Sequence, residues 1–445
     1  MTPAEDPPDE DRLTLADARD GWALFDETER LDAFHSLPRP EAEDFFLDLP
    51  SADQAHLVIV MPAAERRSWL RLLAPDDAAD LMQEVPAEQR ASLVALLDEV
   101  TQKDVSALLA FAEDDAGGLM DPRYARLRPD MNVDEAITYL RRVARDRPGL
   151  LYYAYALDAE NHLLGVVSFR QLFRSPSDRY VRDVMTTDIV KADETLDQEA
   201  LGRLFQRHDL LAIPVVDAQN RMKGVVTVDD IVDVVQEEAT EDIQKIGGTE
   251  ALDAPYLQTS LKSMVRKRAG WLAVLFLGET LTASAMGHFE DELARALVLS
   301  LFIPLIISSG GNSGSQATTL VIRAMALGEV RLKDWWHVVR REIAAGLALG
   351  GILGVVGFLR VGLWHAFSPG IYGAHWAGIA VTVAIAVVGV VTWGTIAGSM
   401  LPFVLKRLGL DPASASAPFV ATLVDVSGLV IYFSAASLIL SGTLL

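Results

Sequence analysis

The chain has no cysteine among its 445 residues, which removes disulfides, thiolate catalysis, Cys-ligated zinc and iron–sulfur clusters together. It is also short of positive charge, with 39 basic against 62 acidic residues and a net charge of −23. Such a chain repels phosphate backbones, so no nucleic-acid partner is expected. There is no Walker phosphate loop, and the eight histidines form no HExxH pair, so no enzymatic function is expected. The opening twelve residues, Met1 to Arg12, are acidic and Pro-rich, with neither a basic start nor an apolar stretch. No secretory signal is read there, and the soluble part is expected in the cytoplasm. What remains is a chain of about three domains' length. Half of its residues are apolar and only 23% charged, which excludes disorder and small stapled scaffolds.

The charge is unevenly divided. Residues 1–265 hold 27 basic and 53 acidic residues, a net of −26, whereas residues 266–445 hold 12 and 9, a net of +3. Uncharged or nearly uncharged runs occupy 269–287 (broken by Glu279), 296–322, 343–359, 376–405 and 413–445. Each is long enough to approach the roughly 20 apolar residues that a hydrocarbon core requires. Lys and Arg concentrate in alternate connections. Arg266, Lys267 and Arg268 precede the first run, Arg323 to Arg341 separate the second and third, and Lys406 and Arg407 precede the fifth. The connections around His288–Glu292 and Trp364–His375 have none. Because orientation follows cytoplasmic Lys and Arg, five spans are expected in a cell (inner) membrane, with the amino terminus cytoplasmic and the carboxyl terminus outside.

Two features inside these spans are unusual. The second is interrupted by Ser308-Ser309-Gly310-Gly311-Asn312-Ser313-Gly314-Ser315-Gln316, and a broken backbone at that depth must line protein or water. Close helix packing through small residues is the alternative for this stretch. The fifth span carries Asp425 as its only charge. A carboxylate there costs at least about 2.5 kcal/mol, so it is expected to face a polar path or a partner. Arg323 and Arg360 are the candidate partners, although Arg360 is placed to snorkel to the outer surface. Glu279, beside Thr280, Thr282 and Ser284, fits either a helix-packing network or a pore.

In the soluble part, prolines recur at 38, 50, 62, 75 and 86, each followed by an amphipathic stretch. Proline is tolerated in the first helical turn, so short helices restarting every dozen residues are predicted over roughly 20–113. Asp76, Asp77 and Asp80 cluster there, with Asp76 and Asp80 on one helical face, an arrangement that also suits a plain solvated helix start. From 120 to 245 a strand–helix order occurs twice. The first copy runs from Met120 through a helix at Val133 and strands at Tyr152–Leu157 and Gly165–Gln171. The second runs from Met185 through a helix at Leu196, Ile213–Asp217 and Gly224–Asp230. This doubling resembles a tandem pair of cystathionine-beta-synthase-type (CBS) modules, an α/β regulatory fold.

In that module family the hydroxyl and acidic residues of a Gly-aliphatic-aliphatic-Thr-x-x-Asp motif contact adenine nucleotides. Thr227 and Asp230 match it, whereas the first copy has Ser168 with Gln171 at the acidic position. ATP at the CBS pair is therefore one expectation. Its rival is divalent-cation binding, because Asp197, Glu199, Asp209, Asp230, Asp233, Glu237, Glu238, Glu241 and Asp242 crowd this copy, and hard cations choose carboxylate and water oxygens.

The whole order is similar to the MgtE family of magnesium channels and transporters. It consists of a flexible acidic terminus (1–19), an all-α superhelical N-domain (20–119), a tandem CBS domain (120–248), a connecting amphipathic helix (249–268) and an α-helical transmembrane pore domain with five spans (269–445). Glu113–Met120, Ala239–Ile243, Gly310–Gln316 and Pro418–Gly428 carry the resemblance. It implies a homodimer in the lipid bilayer with a pore on its two-fold axis, lined by Gly311, Asn312, Ala421 and Asp425, where Asp425 binds hydrated Mg²⁺. It also implies that cytosolic Mg²⁺ is sensed by Asp76, Asp80, Asp197, Glu199, Asp209, Asp230, Asp233, Glu238 and Glu241. The chain departs from the family at Ala417 and Ser315, where many relatives carry Asn, and those lost amides bear on selectivity or conductance. A different class is a nonconducting membrane receptor that reports nucleotide or divalent status through its CBS pair.

Overall fold

The computed structural model describes residues 14–146, 152–252, 254, 256–257 and 259–444. Residues 1–13 of the expected flexible terminus lie outside them, and Leu15–Gly21 already forms the first helix, α1. The chain divides into two compact units at Glu238/Ala239.

The first unit begins with seven further short helices: α2 (Glu27–Ser36), α3 (Arg39–Asp48), α4 (Ser51–Val60), α5 (Ala63–Leu70), α6 (Pro75–Glu84), α7 (Ala87–Val94) and α8 (Glu99–Leu108). The proline period does mark helix starts. Pro75 is the first residue of α6, but Pro38, Pro50, Pro62 and Pro86 sit one position earlier, as extended residues before α3, α4, α5 and α7. Proline suits that place too, since its fixed φ is compatible with the extended backbone and its missing N–H has no helical partner to lose. Phe34 and Phe46 pack their rings against Trp69 at 4.7 and 5.4 Å in the core that α2, α3 and α5 share.

The repeat follows as β1 (Ala125–Leu127), α9 (Val133–Asp146), β2 (Tyr153–Leu157), β3 (Leu163–Ser168), α10 (Phe169–Arg174) and α11 (Val181–Val184). It recurs as β4 (Ala192–Asp193), α12 (Gln198–His208), β5 (Ala212–Val216), β6 (Met222–Thr227) and α13 (Val228–Ile246). Each copy makes a three-stranded sheet, with its first strand parallel to the second and the second antiparallel to the third. The two hairpins turn identically. Asn161 and Asn220 take left-handed φ of 68° and 63°, and Asp158 and Asp217 accept the N–H of His162 and Arg221 at 2.8 Å. The tips then bond each other, Leu163 N–H to Asn220 O at 3.0 Å and Met222 N–H to Asn161 O at 2.9 Å.

The copies differ from their sequence boundaries in one respect. The segment that opens each copy lies against the other copy's strand: Asp121 pairs with Val225 and Thr186 with Val166. Met120 fills the space that a Cβ on Gly224 would need, and Met185 does the same at Gly165. The two copies therefore exchange their leading segments, which ties them into one body.

The second unit holds α14 (Leu261–His288), α15 (Glu290–Arg295), α16 (Ile303–Ala326), α17 (Trp335–Phe367), α18 (Trp376–Arg407) and α19 (Ala417–Leu440). Among the described residues, five helical segments are long and apolar enough to cross a membrane, as expected. Two expectations are corrected. Among the described residues, no separate connecting helix occupies 249–268, because those of 249–260 are non-helical and α14 starts at Leu261 and runs on into the first span. Nor is the second span broken, since α16 is one continuous helix through Ser308–Gln316. Its glycines serve contact: a Cβ on Gly394 would strike the carbonyl of Gly310, and one on Gly398 that of Gly314. Two small-residue steps on α16 and two on α18 thus bring the backbones together, with the Thr318 hydroxyl donating to Gly398 O at 2.8 Å across the seam.

Candidate metal centres

The first centre is built on helix starts. The acids Asp76 and Asp77 open α6, with Asp80 one turn on, and Asp229 and Asp230 open α13, positions where the helix dipole favours negative charge. Asp76 is buried, and its Oδ1 has no hydrogen-bond partner. Burial raises its pKa well above the ordinary carboxylate range, and Asp121, Asp77 and Asp230 add repulsion. Burial likewise pushes Asp80 up to about 7, with Asp77, Asp230, Glu113 and Glu237 reinforcing it. Asp230 is pushed up to about 6, again by burial first, against the lowering hydrogen bond from the Thr227 hydroxyl. The groups acting most strongly on Asp76 and Asp80 are all carboxylates. A buried oxygen without a donor, among like charges, is the arrangement that a hard divalent cation stabilises through carboxylate and water oxygens.

The structure thus brings Asp76, Asp80 and Asp230 together. It adds Asp77 and Glu237, which the sequence placed among the clustered acids but not in the sensing set, and Glu113, Asp121 and Asp229, of which Asp229 adjoins a named residue and Glu113 opens one of the marker segments. The other candidates stand elsewhere. Asp197 caps α12 by accepting the N–H groups of Glu199 and Ala200, Glu199 pairs with Arg203 at 2.6 Å, and Asp209 closes the same helix with a left-handed φ of 50°. Asp233 is exposed one turn beyond Asp229. Glu238 accepts from Gln198 Nε2 at 2.6 Å, and Glu241 is ion-paired with Lys245. Thr227 donates to Asp230 Oδ2 at 2.7 Å, and Ser168 with Gln171 forms the matching capping box. The Gln171 departure therefore keeps the capping role and gives up the charge.

The second centre is Asp425 on α19. The Cβ that Gly311 lacks would lie 3.5 Å from Ala421 and 3.8 Å from Asp425 Oδ1, so the bare backbone of α16 faces this carboxylate. Asp425 is half-buried and makes no hydrogen bond or ion pair with the described residues. Neither candidate arginine reaches it: Arg360 donates to the Tyr372 hydroxyl at 3.2 Å and lies over Trp364, and Arg323 has no ion pair among the described residues. The charged group that acts on Asp425 is Glu279 of α14, another carboxylate. Asn312 is exposed, with its amide 3.4 Å from the Ser308 hydroxyl.

The comparisons with known proteins follow the same division. A family model described as a divalent cation transporter matches residues 303–435, an MgtE intracellular N domain matches 13–114, and a CBS domain matches 181–237. The magnesium transporter MgtE of Thermus thermophilus is 38% identical over 95% of this chain and 93% of its own length. The chain belongs to the MgtE family. The Bacillus subtilis magnesium transporter MgtE is 31% identical over 86% of this chain and 82% of that one. A crystal structure of the cytosolic domain of the Mg²⁺ channel MgtE in complex with ATP is 35% identical, with a TM-score of 0.46, over 50% of this chain and 90% of that domain. The full-length relatives are named as transporters, so this MgtE-family chain is a membrane transporter and not an enzyme.

The family departures meet one another. The Ser315 hydroxyl donates to Ala417 O at 3.1 Å, where α19 begins. Beside it Trp271 Nε1 donates to Ser416 Oγ at 3.0 Å, and Ser416 caps α19. Lys245 reaches Asp411 at 2.7 Å just before this cap. Partial burial works against the ammonium, but its bonds to Asp411 and Glu241 prevail and hold its pKa above the ordinary lysine value.

Proposed function

We propose that the chain is the protomer of a homodimeric Mg²⁺ channel or transporter, in which Asp425 receives the hydrated ion and Mg²⁺ on the Asp76–Asp80–Asp230 carboxylates closes the path. One observation carries the reading: a membrane carboxylate without a cationic partner, faced by glycine and alanine and by a second acid. Mg²⁺ releases its inner waters reluctantly and prefers oxygens at about 2.0–2.1 Å, so a carboxylate acting through those waters suits it better than a dehydrating cage. The sparsely buried α14, with Thr282 as its one buried residue, leaves room for a second copy beside Asp425. The names of the full-length relatives support magnesium as the cargo.

Gating follows from charge. Two soluble parts of net −26 repel one another, and divalent ions on the buried acids would screen that repulsion and hold them together. Loss of Mg²⁺ would release them and open the path. The basic connections support a cytoplasmic place for these parts and a carboxyl terminus outside. ATP is carried as a ligand of the CBS pair through Thr227 and Asp230, whose mutual hydrogen bond it would have to share.

Flux into liposomes tests the reading. Purified protein should pass Mg²⁺ down an imposed voltage without an opposing ion gradient, and competing Co²⁺, Ni²⁺ and Mn²⁺ should define selectivity. Folded protein that passes no divalent ion under these conditions, nor when a proton or sodium gradient is added, would favour the receptor reading instead.

A further inference from the structure

The end of α13 and the start of α14 enclose a cavity of about 630 Å³ within the second unit. Its size falls in the range of pockets that hold small organic ligands. Neither metal centre includes it. Thr240, Gln244 and Thr249 give it a polar lining, part of which is already spent internally: the Thr249 hydroxyl donates to Gln244 O at 3.0 Å and Gln244 Oε1 accepts from Leu252 N at 2.7 Å. Leu252, Ala254 and Met264 give it an apolar lining. Two donors on the lining, the Arg268 guanidinium and the Tyr256 hydroxyl, have no partner among the described residues. A ligand with an anionic, acceptor-rich end and an apolar body would satisfy both kinds of lining.

Position selects the kind of ligand. Arg268 directly precedes the apolar length of α14, and Lys262, Arg266 and Lys267 stand on the turns before it. Leu257, Leu261 and Val265 are more than half exposed along the same stretch. Basic and exposed apolar side chains thus alternate where a spanning helix meets the membrane surface, which is where anionic headgroups gather. A guanidinium binds a phosphate through paired donors, and that pairing outlasts the general attraction of a basic surface.

We propose that this cavity is a binding site for one anionic phospholipid, phosphatidylglycerol in its simplest form, with the phosphate on Arg268 and Tyr256 and the first carbons of its chains against Leu252 and Met264. The site does not depend on the transport reading.

The test uses the full chain in phosphatidylcholine nanodiscs containing a small fraction of photoactivatable phosphatidylglycerol, with adducts mapped by peptide mass. Adducts are expected in the segment from Tyr256 to Arg268, competed by unlabelled phosphatidylglycerol and not by added phosphatidylcholine or by free sn-glycerol 1-phosphate. Arg268→Gln should lower the labelling about tenfold or more, because it removes paired, charge-assisted bonds to the phosphate and not only a surface cation. Arg268→Lys should restore part of it. Arg266→Gln, exposed and outside the cavity, should lower it by no more than about fivefold, the weight of one cation at a membrane surface. Equal competition by phosphatidylcholine would overturn the proposal, as would equal losses in the two Gln variants, which signal a diffuse basic surface. Competition by free glycerol phosphate as strong as by the lipid would mark a plain phosphate site and would overturn it too. A monodisperse elution profile for each variant keeps misfolding apart from loss of binding.

Discussion

Asp80 and Asp230 carry a pH signature that follows from their burial. Both titrate above the ordinary 3.8, at about 7 and about 6, so between those limits the folded state holds more protons than the unfolded one. Stability contributed by such groups is present at low pH and is lost as pH rises through about 6 to 7. In chelator-treated protein the melting temperature should therefore fall between pH 5 and pH 8, and saturating Mg²⁺ should flatten that slope. Mg²⁺ binding at pH 6.5 should also release protons, because the metal takes the ionised form. Calorimetry in two buffers of different ionisation enthalpy measures that release, and a value of zero would remove these carboxylates from the metal's ligands. Asp80→Asn should reduce the release and raise the metal-free melting temperature, since it deletes a like charge from a crowded site.

Seams decide which residues matter at the level of helices. Gly398→Leu should prevent the α16–α18 approach, costing about 1–3 kcal/mol or more, and should be read as loss of monodisperse protein. Ser315→Ala should cost only about 1 kcal/mol, the value of one net hydrogen bond, because the Ala417 carbonyl it leaves is at a helix start. These elements were unequally legible in the sequence. The proline period and the doubled strand–helix order stand out because each has a fixed spacing, and the spans stand out because their runs are long. The glycine cluster at Ser308–Gln316 reads as a break when taken alone. Its partners, Gly394 and Gly398, lie some 80 residues away, and only their contact shows the stretch to be a packed helix. The exchange of Met120 and Met185 between the CBS copies is hidden for the same reason: a linear repeat cannot say which copy a leading segment joins.

In the whole molecule, the proposed function gives two acidic sites opposite tasks with one ion. The soluble carboxylates are crowded and buried, which in that proposal suits retention of a cation, whereas Asp425 has no cationic partner among the described residues, which in that proposal suits passage. Asp425 and the Asp76–Asp80 pair were legible because a lone charge in an apolar run and a tight acidic group are conspicuous. Asp121 and Glu113 were not, since loops bring them in and no spacing rule places them. Asp197, Glu199 and Asp209 looked equivalent to them by type but are occupied with capping and pairing α12. The central claim is that Asp425 is on the conduction path. Its most direct test is Mg²⁺ flux under imposed voltage in liposomes holding equal amounts of folded parent and Asp425→Asn protein. The account predicts that flux in the variant falls to the level of empty liposomes while its melting temperature is kept; undiminished flux would contradict it.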